Sequence, residues 1–359
     1  MNKSAGYWLA LNKILNLGPA TIKKLYDHFG SAEAIWNAKP KELAKVEGLT
    51  KAKYSLINEA KGKIDPESEI KSIKGVNFLT IEEEDYPENL RNIFDPPPVL
   101  FYKGQPEALN KKSIAIVGTR KPSSYGIEVA DRFAKELAGL GFVVVSGMAY
   151  GIDTAAHKGA LEAKAETIAV FGCGIDKVYP AENIRLAESV AESGCLVSEF
   201  SPGTPTSHWT FPQRNRIISG LSMGVIVVEG AQDSGSLITA KLALEQGREV
   251  FAVPGQIENQ NSKGPHWLIK QGAKLVESVE DVLEEFNMVM PSRAVPEKDM
   301  SGLSSTEKSI CELLMLEPLH IDVISEKASL SSQEVSSLLM MLEIKGFVKQ
   351  LPGKKFVKN

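Results

Sequence analysis

Three cysteines in 359 residues, Cys173, Cys195 and Cys311, stand far apart and without C-x-x-C spacing. That scatter argues against a disulfide framework and a thiolate metal site, and it suits a reducing compartment. Histidine is scarce too, with five in all and no pair at metal-ligand spacing. No serine, cysteine or lysine has an evident activating partner, so no catalytic residue, no metal and no cofactor is expected. Long apolar runs are missing: none reaches about 18 residues, and Asn12, Lys13 and Asn16 interrupt the first apolar stretch before a signal core forms. The expected location is therefore cytoplasmic, without a membrane. Positive charge is also lacking overall. A formal net charge of −4 rules out a polycation that coats nucleic acid, so any such contact needs a local patch.

What is present is an ordinary globular composition, 43% hydrophobic and 24% charged, on a chain long enough for several domains. Residues 1–64 predict short helices broken at Gly18-Pro19 and Gly30-Ser31, with a second unit around the Gly48-Leu49-Thr50 turn. Two helix–turn–helix units in tandem suggest a SAM-like or helix-hairpin-helix module. Its helix starts could hold a DNA phosphate, or it could be a bundle that merely packs. Residues 65–112 read as a connector, because Asp95-Pro96-Pro97-Pro98 cannot lie inside a helix.

From 113 to 286 the pattern becomes regular. Apolar β-branched runs at Ser113–Val117, Phe142–Val145, Thr167–Phe171, Cys195–Ser198, Gly224–Val228, Glu249–Val253 and Lys274–Val276 alternate with helical stretches. Strands apolar on both faces need helices on both sides, which predicts an α/β, Rossmann-like, doubly wound and mostly parallel sheet. A linker at 287–303 leads to three helices and a hairpin over 304–359, the order of a winged helix.

Ligands of such a sheet bind beyond the carboxyl ends of its strands. The first end reads Gly118-Thr119-Arg120-Lys121, with a guanidinium able to fork onto phosphate. It is not G-x-G-x-x-G, and no acid at the next strand end awaits a ribose. The second end reads Ser146-Gly147-Met148-Ala149-Tyr150-Gly151-Ile152-Asp153, where Asp153 is expected to cap the helix carrying His157 rather than to form an acid/base pair with it. Beyond the fourth strand, Trp209 and Phe211 stand beside Arg214, Asn215 and Arg216, a stacking surface next to a charged clamp. The fifth end, after Glu229, leads to Ser234-Gly235-Ser236-Leu237-Ile238-Thr239, small residues at a helix start that suit an anion. Several phosphate-competent loops on one edge imply a nucleotide or a long anionic ligand.

These loops resemble the DNA-processing protein A (DprA, or Smf) family. The resemblance rests on Tyr86-Pro87, Pro98-Val99-Leu100, Val117-Gly118-Thr119-Arg120, Ser146 to Asp153, Phe211-Pro212-Gln213-Arg214-Asn215-Arg216-Ile217-Ile218, Ser234 to Ala240 and Val253-Pro254-Gly255, in family order across 85–280. It implies a non-enzymatic core that binds single-stranded DNA, forms homodimers, and helps load the RecA recombinase in natural transformation or other recombination. By position it points to Arg120, Ser146, Gly147, Phe211, Arg214, Asn215 and Arg216, and to the loop with Ser234, Gly235, Ser236 and Thr239. Lys121, Lys158, Lys177 and Arg185 are added from charge and location.

The main alternative is a nucleotide-processing phosphoribohydrolase of the lysine-decarboxylase-like (LOG) type. The stretch after Glu229 lacks that family's paired glycines and downstream glutamate. The winged helix is not expected to be the DNA grip. Residues 301–359 carry seven lysines and seven acids, and little phosphate affinity follows from a segment of no net charge.

Overall fold

The computed structural model describes residues 4–288, 303–314, 319–328, 330–345, 347–351 and 353–358. The chain divides into two compact units, 1–289 and 290–359. The expected linker at 287–303 lies almost wholly outside the described residues.

The first unit opens with six helices: α1 (Ser4–Asn12), α2 (Pro19–Phe29), α3 (Ala32–Asn37), α4 (Pro40–Leu43), α5 (Lys51–Lys61) and α6 (Pro66–Ser72). Trp8, Leu25, Ile35, Leu43 and Ile57 are buried among them. Gly18 and Gly30, at φ 75° and 78°, bracket α2 in conformations that a side chain would strain. Pro19 begins the helix where its missing N–H costs nothing. Lys53 of α5 donates its Nζ to the Leu17 carbonyl at 3.3 Å and so ties the second helical unit to the first turn.

A nine-stranded sheet follows. Its strands are β1 (Asn77–Thr80), β2 (Val99–Gly104), β3 (Ser113–Val117), β4 (Val143–Ser146), β5 (Thr167–Val170), β6 (Cys195–Ser198), β7 (Gly224–Val227), β8 (Glu249–Ala252) and β9 (Lys274–Leu275). They lie in the order β1-β2-β6-β5-β4-β3-β7-β8-β9. β3 to β9 are parallel, and β1 and β2 join antiparallel at the β6 edge. The sheet thus starts earlier than the expected boundary at 113. Two strands and the short helix α7 (Glu88–Arg91) come from the supposed connector.

The intervening helices are α8 (Ser124–Gly139), α9 (Ile152–Glu162), α10 (Ile184–Ser193), α11 (Thr210–Leu221), α12 (Gly235–Glu245), α13 (Lys263–Lys270) and α14 (Val279–Glu285). Every residue of β3 to β7 is buried, as the doubly apolar runs require. The strand order reverses between β3 and β7, where Val117 pairs with Val227. That switch point opens a crevice at the carboxyl edge.

The second unit contains α15 (Ser305–Leu313), α16 (Ile321–Ala328) and α17 (Ser332–Ile344), with β10 (Leu319–His320), β11 (Val348–Leu351) and β12 (Lys355–Lys358). β12 is central and pairs antiparallel with both others, the architecture of a winged helix. Ile310, Ile324, Val335, Leu339 and Leu342 form its core. Among the described residues, no helix is long and apolar enough to cross a membrane.

Candidate nucleic-acid interface

The crevice at the switch point is a pocket of about 480 Å³. Its walls are the loop after β3 (Gly118 to Lys121), the start of α12 (Ser234 to Thr239) and one face of α11. On α11 Phe211, Arg214, Asn215 and Ile218 line it at the spacing that puts four side chains on one helical face, with Pro212 beside them. Arg120 and Lys121 are exposed at the mouth. The Arg120 guanidinium carbon lies 5.1 Å from the centre of the Phe211 ring, a cation–π contact that presents a flat cationic surface toward solvent.

Arg214 occupies the floor. It is 4% exposed, and its guanidinium donates to the Gly147 carbonyl at 2.6 Å, to the Val170 carbonyl, and to Asn215 Oδ1 at 3.2 Å. Burial, and to a lesser degree the neighbouring charge of Arg120, lower its pKa to about 10, against the opposing pull of Asp153. It still carries its charge at neutral pH. A Cβ at position 147 would collide with this guanidinium, so Gly147 is there to admit Arg214.

The loop after β4 is held from several directions. The Asp153 carboxylate accepts from Gly147 N at 3.2 Å and Ala149 N at 3.3 Å, and Asn183 Nδ2 donates to the Met148 carbonyl at 2.9 Å. Gly151 takes the N-cap position of α9, so Asp153 braces the preceding loop from the helix's first turn instead of capping it as expected. Burial raises its pKa, with the nearby Arg214 acting in the opposite sense.

Across the pocket, Ser234 caps α12 and accepts from Ser236 N, while Asn215 Nδ2 donates to the Gly235 carbonyl at 3.3 Å. No atom lies within 4 Å of the place a Gly235 Cβ would take, which leaves this helix start open on the pocket side. An 11-residue helix presents its positive end there.

The sequence-predicted residues divide into four groups. Arg120, Lys121, Phe211, Arg214, Asn215, Ser234, Gly235, Ser236 and Thr239 come together around the pocket. Ser146 and Gly147 lie behind it: the Ser146 hydroxyl is fully buried and donates to the Ile116 carbonyl. Lys158, Lys177 and Arg185 are exposed but do not line it, and Lys177 donates to the Gly203 carbonyl at 2.7 Å. Arg216 turns the other way. It is 3% exposed and paired with Glu199 at 2.7 Å and Asp95 at 3.1 Å. Burial opposes its charge, but the two carboxylates outweigh that and hold its pKa above the ordinary value. It clamps the proline segment to the core and leaves no free cation for a strand.

Thr119 and Asn261 line the pocket without having been singled out from sequence. Asn261 Nδ2 donates to the Lys121 carbonyl at 3.0 Å and so fixes the mouth. It follows β8, whose carboxyl end was the signal available. Glu229, at the fifth strand end, accepts from Ser123 N at 2.9 Å and Ser123 Oγ at 2.6 Å and so has no free carboxylate for acid/base work. Among the described residues no cluster of His, Cys, Asp and Glu could hold a metal.

A stacked arginine at the mouth, a buried arginine in the floor and a helix start in the wall give this Rossmann-like sheet a switch-point pocket suited to phosphate-bearing ligands. Comparison with known proteins sharpens this. The model of the DNA recombination-mediator protein A family matches residues 77–287, that of the DprA winged-helix domain 294–354, and that of the SAM-like helix-hairpin-helix tandem 9–60. The chain belongs to the DNA recombination-mediator protein A (DprA/Smf) family, whose members are DNA-binding processing proteins and not known enzymes.

It is 50% identical over 223 residues to the DNA processing protein DprA of Bacillus subtilis, covering 62% of this chain and 74% of that one. It is 42% identical to the Smf protein of Escherichia coli over 77% of this chain and 76% of the relative. Among solved structures, DNA processing protein A of Streptococcus pneumoniae superposes with a TM-score of 0.70 at 37% identity, covering 79% of this chain and 98% of that one. DNA processing protein A of Helicobacter pylori, described for its single-stranded DNA binding mode, superposes with a TM-score of 0.54 at 29% identity, covering 59% and 97%.

Proposed function

We propose that the protein binds single-stranded DNA in the switch-point pocket and hands it to a recombinase of the RecA type, acting in the cytoplasm during natural transformation or other recombination. The observation that carries the reading is the Arg120–Phe211 stack over the pocket, set against the open start of α12. Rings offer bases a sequence-tolerant surface, and the arginine and helix end take phosphates. The contacts proposed are Arg120, Lys121, Phe211, Asn215, Ser234 and Gly235, with Ser236, Thr239, Gly147 and Arg214 shaping the pocket from within. The exposed Trp209 ring, 65% accessible beside Phe200, supplies further stacking area.

The single-strand binding mode described for the Helicobacter pylori relative supports the ligand, and the family's recombination-mediator name supports the hand-over. Homodimerisation through the core is part of the same reading. Exposed Tyr125, Ile257 and Trp267 flank a segment tied together by the Tyr125 hydroxyl on the Pro254 carbonyl (2.9 Å) and by His266 against Gly255 (3.3 Å). That offers apolar surface for a second copy.

The decisive experiment is a gel-shift comparison of oligo-dT and duplex DNA, followed by RecA strand-exchange assays on DNA coated with single-strand-binding protein. Preference for single strands and faster RecA loading are expected. Equal affinity for duplex contradicts the binding reading, and binding without any effect on RecA contradicts the hand-over.

A further inference from the structure

A row of rings continues beyond the pocket along the same edge of the sheet. Phe211, under Arg120, also meets Tyr179, whose ring centre is 5.5 Å away at an interplanar angle of 44°. Tyr179 lies in the segment after β5 and is 45% exposed. Tyr150, in the loop after β4, is 41% exposed and donates its hydroxyl to Glu182 Oε2 at 2.5 Å. Glu182 lies three residues after Tyr179, so this bond brings the Tyr150 loop against the segment that carries Tyr179. Neither tyrosine lines the pocket.

Half-exposed rings on the ligand-facing edge offer flat faces to something outside the fold. The charge beside them selects what that is. Exposed Asp176 and Glu182 offset exposed Lys177 and Arg185 along 176–185, so this end carries no net charge to draw phosphate and favours a neutral face. The segment between is anchored: Asn183 Nδ2 reaches the Met148 carbonyl and Thr154 Oγ1, fixing the Tyr179 side to the Tyr150 loop.

We infer that Tyr179 and Tyr150 form an outer base-stacking subsite, reached by a DNA strand after it leaves the Arg120–Phe211 pocket. The inference rests on the strand-binding reading above and adds to it a direction and a minimum length. The inner pocket holds phosphates and one or two bases. The outer rings hold bases alone, so their contribution depends on strand length and not on salt.

The test uses the full chain with the double substitution Tyr150→Leu and Tyr179→Leu, and oligo-dT of about four and about fifteen nucleotides, each titrated at several salt concentrations. The long oligomer is expected to bind about tenfold more weakly to the double variant, with the short oligomer and the salt slope unchanged. Tyr150→Phe, which keeps the ring and drops the bond to Glu182, should bind the long oligomer as the unsubstituted protein does. Undiminished binding of the long oligomer overturns the outer subsite. Equal loss on both lengths overturns it too, because the rings would then only prop Phe211. If the unsubstituted protein binds neither length, the strand-binding reading itself falls.

Discussion

Arg120, Arg214 and Arg216 carry the same charge into three different roles. Arg120 is exposed and stacked, so its charge can displace counterions from a DNA backbone. Arg120→Ala is expected to weaken oligo-dT binding and reduce the slope of log affinity against log salt by about 1, with the melting temperature unchanged. Fluorescence titration at four or five salt concentrations measures both quantities. Arg214 instead satisfies two backbone carbonyls in the floor. Its replacement by alanine leaves Asp153 without its buried cation and should cost about 3–5 kcal/mol of stability, read by denaturant unfolding. A folded, fully stable Arg214→Ala protein would contradict the assignment. Arg216→Ala should likewise lose stability, by breaking the pairs with Glu199 and Asp95, while the salt slope of any remaining binding stays intact.

At the scale of elements, α11 shows why this division escapes sequence reasoning. Residues at i, i+3, i+4 and i+7 share a face, so Phe211, Arg214, Asn215 and Ile218 meet at the pocket while Arg216, two positions from Arg214, points elsewhere. The stretch reads as one basic cluster until the helix phase is known. The parallel strands were legible because burial on both faces leaves continuous apolar runs. β1 and β2 were not, since they flank a proline-rich segment and pair antiparallel at the edge. The role of Asp153 was also missed, because a carboxylate in a helix's first turn can as readily brace the preceding loop as cap the helix.

α9 supplies a pH dependence. His157 is fully buried, with Nδ1 2.8 Å from Thr167 Oγ1 and Nε2 without a partner among the described residues. Burial, then the Arg214 charge, lower its pKa from 6.5 to about 3. The unfolded chain therefore binds a proton over that interval that the native chain refuses. The contribution is complete above about pH 6.5 and is lost as pH falls toward 3, with a slope of at most about 1.4 kcal/mol per pH unit. Urea unfolding between pH 7.5 and 4.5 should show stability falling with acid, and His157→Gln should flatten that portion of the curve.

For the molecule as a whole, the two compact units differ in what they offer a DNA backbone. In the winged helix, α17 presents exposed Gln333, Ser337, Met340 and Met341, a row without a cation. Lys345, just past its end, is paired with Glu307 at 2.6 Å, and that lysine together with Ser304 lowers the Glu307 pKa to about 2. A helix so equipped has little to offer a phosphate backbone. Deleting residues 303–359 is expected to leave oligo-dT affinity within about twofold, by the same titration.

The proposed grip on single strands is salt-sensitive and centred on Arg120 and Phe211. Its most direct measurement is the dissociation constant for oligo-dT against a duplex of equal length, in the unsubstituted protein and in Arg120→Ala, across a salt series. Tighter binding to the single strand is expected, weakening steeply with salt, with both the preference and part of the slope lost in the variant. Indifference to strandedness, or a variant that binds as well as the unsubstituted protein, would contradict it.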